Sequence, residues 1–499
     1  MCDPRDPDKK MIHRSARSMS TLMTLILFVA GCGPVSTPSY ATPTVEEIVP
    51  EVGPTPLPKR EPHLPGELFE YRAQSGDTLS ALAAHFNTSV NEILAANPDL
   101  PSSITTIPPD YPLQIPAYYV PLTGSPFHIL PDSEVIYGPS AVDFDVFEEI
   151  DQRSGFLRDL SAFAYKRQRQ AWQVVEVIAK NYSLNPRVLL AMMEHQTQAL
   201  TEPLTEGNQA DYPMGVEQVR YKGLFWQLIW VAERLNDGYY GWRTGTLEEI
   251  ELADGLLVRP DPWQNAGTVA IHMVFAGIHG KQEFDHAVSP DGFYQTYKDL
   301  WGDPFEAEIV LIPGNLQQPE LALPFMPNRI WDFSAGPHYC WGTSLPLGAL
   351  DFAPPAMEGG CVFSAEWITA PGDGVIARSD EATVVLDLDG DGDERTGWVL
   401  FFFHVGTDGR IAEGVAVEVG DLLGHPSCEG GRATGTHFHI ARRYNGEWLP
   451  AGGPLAFVLD GWVTAYGDEP YQGTLTKGSK IVPASEVSTA ANRIFYELP

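Results

Sequence analysis

Apolar positions change their period several times along the chain, and each change predicts a different element. Residues 71–80 read as a short strand, a turn and a helix start, after which Leu79, Leu82, Ala83 and Phe86 share one helical face. A second helix is predicted over 90–96 and a closing strand over 113–116. Between Asp143 and Trp301 several stretches have helical period. Phe163, Trp172, Val175, Ile178 and Ala179 lead to an apolar run entered at Asn185, with Pro186 at the first helical position. Further helices are predicted over 225–235 and 266–278, and strands over 383–388 and 398–404. Two stretches differ. Residues 33–66 hold nine prolines and almost no apolar pattern, the signature of a semi-rigid spacer. Residues 21–30 are an apolar run, too short for a bilayer that needs roughly 20 residues.

Composition narrows the function. With 43% hydrophobic and 19% charged residues the chain is globular, and 499 residues allow about three domains. A formal charge of −33 excludes unaided nucleic-acid binding, since phosphate contacts need a basic surface. It also argues against electrostatic attachment to an anionic lipid or wall surface. The apolar run 21–30 follows Arg14 and Arg17 and ends at Val29-Ala30-Gly31-Cys32. This resembles a bacterial lipoprotein signal, which implies export, removal of residues 1–31, and a lipid on Cys32 that anchors the protein to the outer face of the membrane. Residues 32–68 then form the linker.

Gly76-Asp77-Thr78-Leu79, Asn97-Pro98 and the last strand resemble the LysM module over 69–117. The resemblance implies a βααβ fold that binds N-acetylglucosamine-containing glycan, here peptidoglycan, with Gly76, Asp77, Thr78 and Asn97 as candidate contacts. In the helical region, 143–303, an apolar helix closes on Glu194. This resembles the lysozyme-like transglycosylase core, which implies a catalytic acid whose pKa is raised by burial. The alternative is a helix-end carboxylate in a structural or substrate-positioning domain.

Histidines concentrate in the last third. His437 and His439 are two apart in a strand pattern, so they face one side. A hydrolytic zinc site needs three protein ligands and water, which a histidine, an aspartate and a second histidine supply. His338 with Asp351, the strand ending at His404, and Gly435-Thr436-His437-Phe438-His439 resemble the lysostaphin or LytM-type zinc endopeptidases over 319–465. The long His338–Asp351 interval is similar to the LasA-type branch. The resemblance implies an antiparallel β cleft, one Zn²⁺ per chain on His338, Asp351 and His439, His437 as general base and His404 as oxyanion stabiliser. Residues 466–499 are expected as an extension. The fold class is therefore multidomain α+β, and the implied function is an exported peptidoglycan hydrolase that cleaves peptide stems or cross-bridges. The alternatives are a non-enzymatic wall-binding activator, or a bifunctional hydrolase that also cleaves glycan at Glu194.

Two smaller signals remain. Asp387–Glu394 begins like a calcium loop, but the twelfth position is Trp398 rather than glutamate, which favours an acidic hairpin turn. Cys340, Cys361 and Cys428 allow one disulfide among three pairings, and Cys361 with Cys428 is preferred because both flank strands at the edge of the expected cleft.

Overall fold

The computed structural model describes residues 56–57, 64–118, 124–204, 207–356 and 358–497. Cys32, the signal segment and most of the proline-rich spacer lie outside the described residues. Among the described residues no helix is long and apolar enough to cross a membrane.

The first domain pairs β1 (Glu67–Arg72) antiparallel with β2 (Pro112–Ala117) around α1 (Leu79–His85) and α2 (Val90–Ala96). Thr78 caps α1 by accepting the Ala81 amide at 3.2 Å, and Ser89 with Glu92 forms a capping box on α2. Each such cap is worth about 1 kcal/mol. The core of Tyr71, Leu82, Phe86, Ile93, Leu113 and Ile115 is completed by Trp263 from the next region. The domain is therefore docked, not free. Gln74 donates to the Trp263 carbonyl at 2.9 Å, His85 stacks on Trp242 at 3.7 Å, and Thr106 donates to the Pro313 carbonyl at 2.8 Å.

The helical region comprises α3 (Val146–Asp151), the hairpin β3 (Ser161–Ala164) and β4 (Arg167–Gln170), α4 (Ala171–Tyr182), α5 (Pro186–Thr197) and α6 (Leu224–Thr244). A two-residue hairpin, β5 (Ile250–Glu251) with β6 (Leu257–Val258), precedes α7 (Ala266–Ala276), α8 (Lys281–Ala287) and α9 (Phe293–Trp301). Helix α6 runs nine residues past the predicted end at 235, because Tyr239, Tyr240 and Trp242 in that stretch are buried in the helical core. A Cβ on Gly238 would lie 2.8 Å from the Ala270 Cα, so glycine lets α6 and α7 approach closely.

The C-terminal domain centres on a nine-stranded antiparallel sheet. Its members are β7 (Ile330–Tyr339), β8 (Leu347–Ala353), β10 (Gly374–Asp380), β11 (Thr383–Asp387), β12 (Trp398–Phe403), β13 (Ala416–Val417), β15 (Phe438–Tyr444), β16 (Glu447–Trp448) and β21 (Arg493–Phe495). The path is β13-β10-β11-β12-β15-β8-β7-β21, with β16 beside β15. Strands β9 (Ile368–Thr369) and β14 (Leu422–Gly424) form a separate pair. Alternation divides the main sheet's side chains between two cores. Leu400 and Phe402 join Trp331, Phe352 and Phe438 on one face, while Val399, Phe401 and Phe403 join the helical core on the other. A fully buried side chain of this size contributes about 1.5–3 kcal/mol.

Residues 466–499 are not an appendage. Strands β17 (Val458–Leu459), β18 (Trp462–Tyr466), β19 (Gly473–Lys477) and β20 (Lys480–Pro483) form one sheet, and β21 pairs with the start of β7. Leu475, Val482 and Ile494 are buried in the domain core, which is why this segment folds with the domain.

Candidate metal centre and catalytic cleft

Three neighbouring strands bring His338, Asp351 and His439 together. In register, His439 stands directly opposite Asp351, and His338 opposite Ala349, two residues from Asp351 and so on the same face. Register shifts on either side of His338 let β7 bend there.

Backbone carbonyls determine what each imidazole presents. His338 Nδ1 donates to the Gly336 carbonyl at 2.8 Å, leaving Nε2 bare; His439 Nε2 donates to the Cys340 carbonyl at 3.1 Å, leaving Nδ1 bare. The two bare nitrogens are 3.0 Å apart, and Asp351 Oδ1 lies 3.2 Å from one and 3.3 Å from the other. That oxygen is buried and has no hydrogen-bond donor among the described residues. With both imidazoles neutral, three acceptor atoms thus converge with no hydrogen to join them. Bonds of about 2.0–2.1 Å in a tetrahedral site set ligand atoms roughly 3.3 Å apart, so the trio fits a divalent zinc-like cation.

The surrounding charges agree with an anionic site. Burial alone would raise the Asp351 carboxyl, but the histidines around it, His338 foremost, hold it well below the usual carboxylate range. Burial also opposes charge on His338; the adjacent carboxylate outweighs it and leaves that imidazole above its ordinary value. His439 is pushed down, mainly by burial.

His404 and His437 complete the cluster, with ring centroids 4.5 Å apart, and His437 Nε2 lies 3.5 Å from Asp351 Oδ2. The predicted strand 398–404 stops one residue early, at Phe403, because His404 has φ +62°. Strict alternation would send its side chain away from the face carrying Phe403 and His439. The left-handed residue instead keeps its ring 4.3 Å from Phe403, at a cost on the order of 1 kcal/mol. His404 Nδ1 donates to the Glu429 carbonyl and His437 Nδ1 to the Gly435 carbonyl, both at 2.7 Å. Both therefore present a bare Nε2. Burial, then the neighbouring His437, lowers His404 to about 4, so it is neutral at neutral pH. In that state its Nε2 accepts a hydrogen bond, and the donor role expected for it requires a proton delivered there first.

Cys361 and Cys428 are disulfide-bonded, and the bridge ties the 361 loop to the segment whose Glu429 carbonyl holds His404. Cys340 is a buried free thiol. Sequence reading missed Tyr471, whose ring stacks on His338 at 4.7 Å; its place in the supposed extension hid it. It also missed the four carbonyls that orient the imidazoles, since backbone groups carry no residue signature.

The remaining candidates have other work. Glu194 lies half-buried in the last turn of α5, and its carboxylate accepts from the Leu200 amide at 2.8 Å and from the Thr201 hydroxyl, closing the turn after the helix. The expected glycan contacts make intramolecular contacts as well. Asp77 accepts from the Tyr71 hydroxyl and Gln74 amide, both at 2.7 Å, and Thr78 caps α1. Asn97 bridges Ile93 of α2 to Gln114 of β2, and a Cβ on Gly76 would meet the Arg243 guanidinium at 2.5 Å. All four residues serve the module's fold and docking. Asp387, Asp389 and Asp391 cluster in the turn between β11 and β12, where Asp387 accepts the Asp389 and Gly392 amides.

Comparison with known proteins locates these parts. Residues 71–116 match the LysM domain, and residues 128–315 match the LasA N-terminal domain, in the region where the Glu194 helix suggested a lysozyme-like core. Over 360 residues the chain is 25% identical to Protease LasA of Pseudomonas aeruginosa strain UCBPP-PA14, spanning 68% of this chain and 77% of that protein. The same protein from strain PAO1 gives the same values. Solved structures similar to this chain include the M23 metalloprotease pseudoalterin from the deep sea, at 22% identity and TM-score 0.29, covering 34% of this chain and 96% of that one. The catalytic domain of lysostaphin from Staphylococcus simulans matches at 18% identity and TM-score 0.18, covering 25% and 90% respectively. The chain is thus a LysM-bearing relative of the LasA-type metallopeptidases, with the LasA N-terminal domain ahead of its histidine-bearing sheet.

Proposed function

We propose that this protein is a zinc endopeptidase that cleaves peptides of the bacterial cell wall. The convergence of His338 Nε2, Asp351 Oδ1 and His439 Nδ1 as three bare acceptors carries the reading. These residues would hold one zinc ion, which supplies Lewis-acid polarisation of the scissile carbonyl and acidifies water. His437, bare at Nε2 and oriented through Nδ1, takes the proton of the attacking water at Nε2. His404, with its own Nε2 bare, becomes an oxyanion donor only once a proton reaches that atom, and can then pass it to the leaving amine. The left-handed backbone and the Glu429 carbonyl hold it in position before substrate arrives. An activator that had shed its ligands would not keep all five side chains in this arrangement.

The LysM match supports wall binding. Residues 1–32 support export and lipid attachment at Cys32, and partition of the native protein with membranes, lost in Cys32→Ser, tests this. The activity itself is tested by digesting peptidoglycans of different cross-bridge types with and without a zinc chelator. New amino termini that vanish with the chelator are expected. New reducing or anhydro-sugar ends in their place would overturn the reading.

A further inference from the structure

The sheet face that carries the catalytic cluster also packs against the helical region, and a groove of about 960 Å³ opens where the two meet. Its catalytic end is Phe403, in ring contact with His404, together with Glu429, whose carbonyl orients that histidine. Its other wall is the β3–β4 hairpin and α4. Charge distinguishes the groove from the rest of the molecule. The chain has 32 basic and 65 acidic side chains, yet six basic and only four acidic ones line this groove.

Three of the six cations are committed. Arg378 is held bidentately by Glu394, and Arg167 and Arg169 both pair with Glu381. Arg410 reaches only the Val405 carbonyl, at 3.3 Å, and Lys166 and Lys180 make no ion pair or hydrogen bond among the described residues. Arg410 and Lys166 face the Glu429 carboxylate without pairing to it, and an excess of six cations over four acids in a strongly acidic protein points to an anionic ligand. Between them Trp172 and Trp341 supply apolar walls, which favour a peptide with aliphatic stretches over a bare polyanion.

We infer that this groove is a subsite for carboxylate-bearing peptide, in which Lys166, Lys180 and Arg410 receive the carboxylates of a substrate whose scissile bond lies at the histidine cluster. The inference rests on the peptidase reading and sharpens it: acidic stem peptides are preferred to neutral cross-bridges, and the helical region contributes substrate recognition.

The test uses the full-length protein and two backbone-N-methylated, hence uncleavable, pentapeptides that differ only in carrying two glutamates or two glutamines. Binding is followed by tryptophan fluorescence, since Trp172 and Trp341 line the groove. The glutamate peptide should bind roughly tenfold more tightly, as expected for charge-assisted contacts. The preference should disappear in Lys166→Gln/Lys180→Gln and reverse in Lys166→Glu/Lys180→Glu. Equal binding of the two peptides to the wild type, binding of neither, or a preference that survives in both variants would overturn the subsite. Cleavage of the unmethylated peptides is measured alongside. Preferential binding without cleavage would refute the peptidase reading and spare the subsite, whereas cleavage without preference would do the reverse.

Discussion

At the scale of single residues, each imidazole in the cleft is specified twice: once by the strand position that aims it and once by the carbonyl that selects its bare nitrogen. The first was legible in the sequence, because His437 and His439 two apart in a strand must share a face, and family spacing added His338, Asp351 and His404. The second was not, since the carbonyls of Gly336, Cys340, Glu429 and Gly435 are set by folding. The division of labour predicts separable phenotypes. His404→Ala and His437→Ala should retain metal yet lose turnover by ~10²–10⁴-fold, the usual contribution of a positioned acid–base group. Metal content measured beside the rate checks this, and loss of metal from either variant would move that histidine into the ligand set. Glu194→Gln should leave wall-peptide cleavage unchanged and lower only stability, by about 1 kcal/mol, because its carboxylate closes a turn. A large loss of activity in this variant at unchanged melting temperature would return it to catalysis.

At the scale of elements, local signals served well where the period was clear and failed where distant charges decided. The helices at 90–96 and after Asn185 follow from capping and proline placement. The segment 387–394 reads as an acidic hairpin turn, yet its last residue, Glu394, is buried between Arg378 of β10 and Arg443 of β15. Those partners lie far away in sequence, so nothing local announced them. Burial alone would raise the Glu394 carboxyl; the two guanidiniums outweigh it and hold it at about 2, against an ordinary 4.5. Since the folded value lies below the unfolded one, the stabilisation is complete above about pH 4.5 and is lost as pH falls towards 2. It amounts to about 3 kcal/mol. Denaturant titrations between pH 6 and 2 should show this loss in the wild type, and Glu394→Gln should be less stable at pH 6 with a flatter acid limb. Parallel acid limbs in the two proteins would show that another carboxylate is responsible.

At the scale of the whole molecule, the three regions join more closely than a reading as a succession of separate domains implied. One buried guanidinium shows how. Arg243 of α6 pairs with Asp132 at 2.9 Å, donates to Glu447 of β16 at 3.2 Å, and donates to the Ser75 carbonyl of the LysM module. Sequence periodicity cannot register such a junction, because each partner comes from a different region. Arg243→Ala leaves two buried carboxylates without their cation and should cost about 3–5 kcal/mol in chemical denaturation. Amide exchange at residues 74–78 should accelerate at the same time. Unchanged exchange there would mean that the aromatic contacts of Trp242 and Trp263 hold the module without the guanidinium.

The central claim, that His338, Asp351 and His439 hold a single zinc ion, is tested most directly by measuring zinc stoichiometry on the purified full-length protein and on His439→Ala. The account predicts one zinc per wild-type chain, with nitrogen and oxygen ligands at about 2.0–2.2 Å by X-ray absorption, and none retained by the variant. A wild-type protein that binds no zinc when it is supplied, or a His439→Ala variant that keeps its full equivalent, would contradict it.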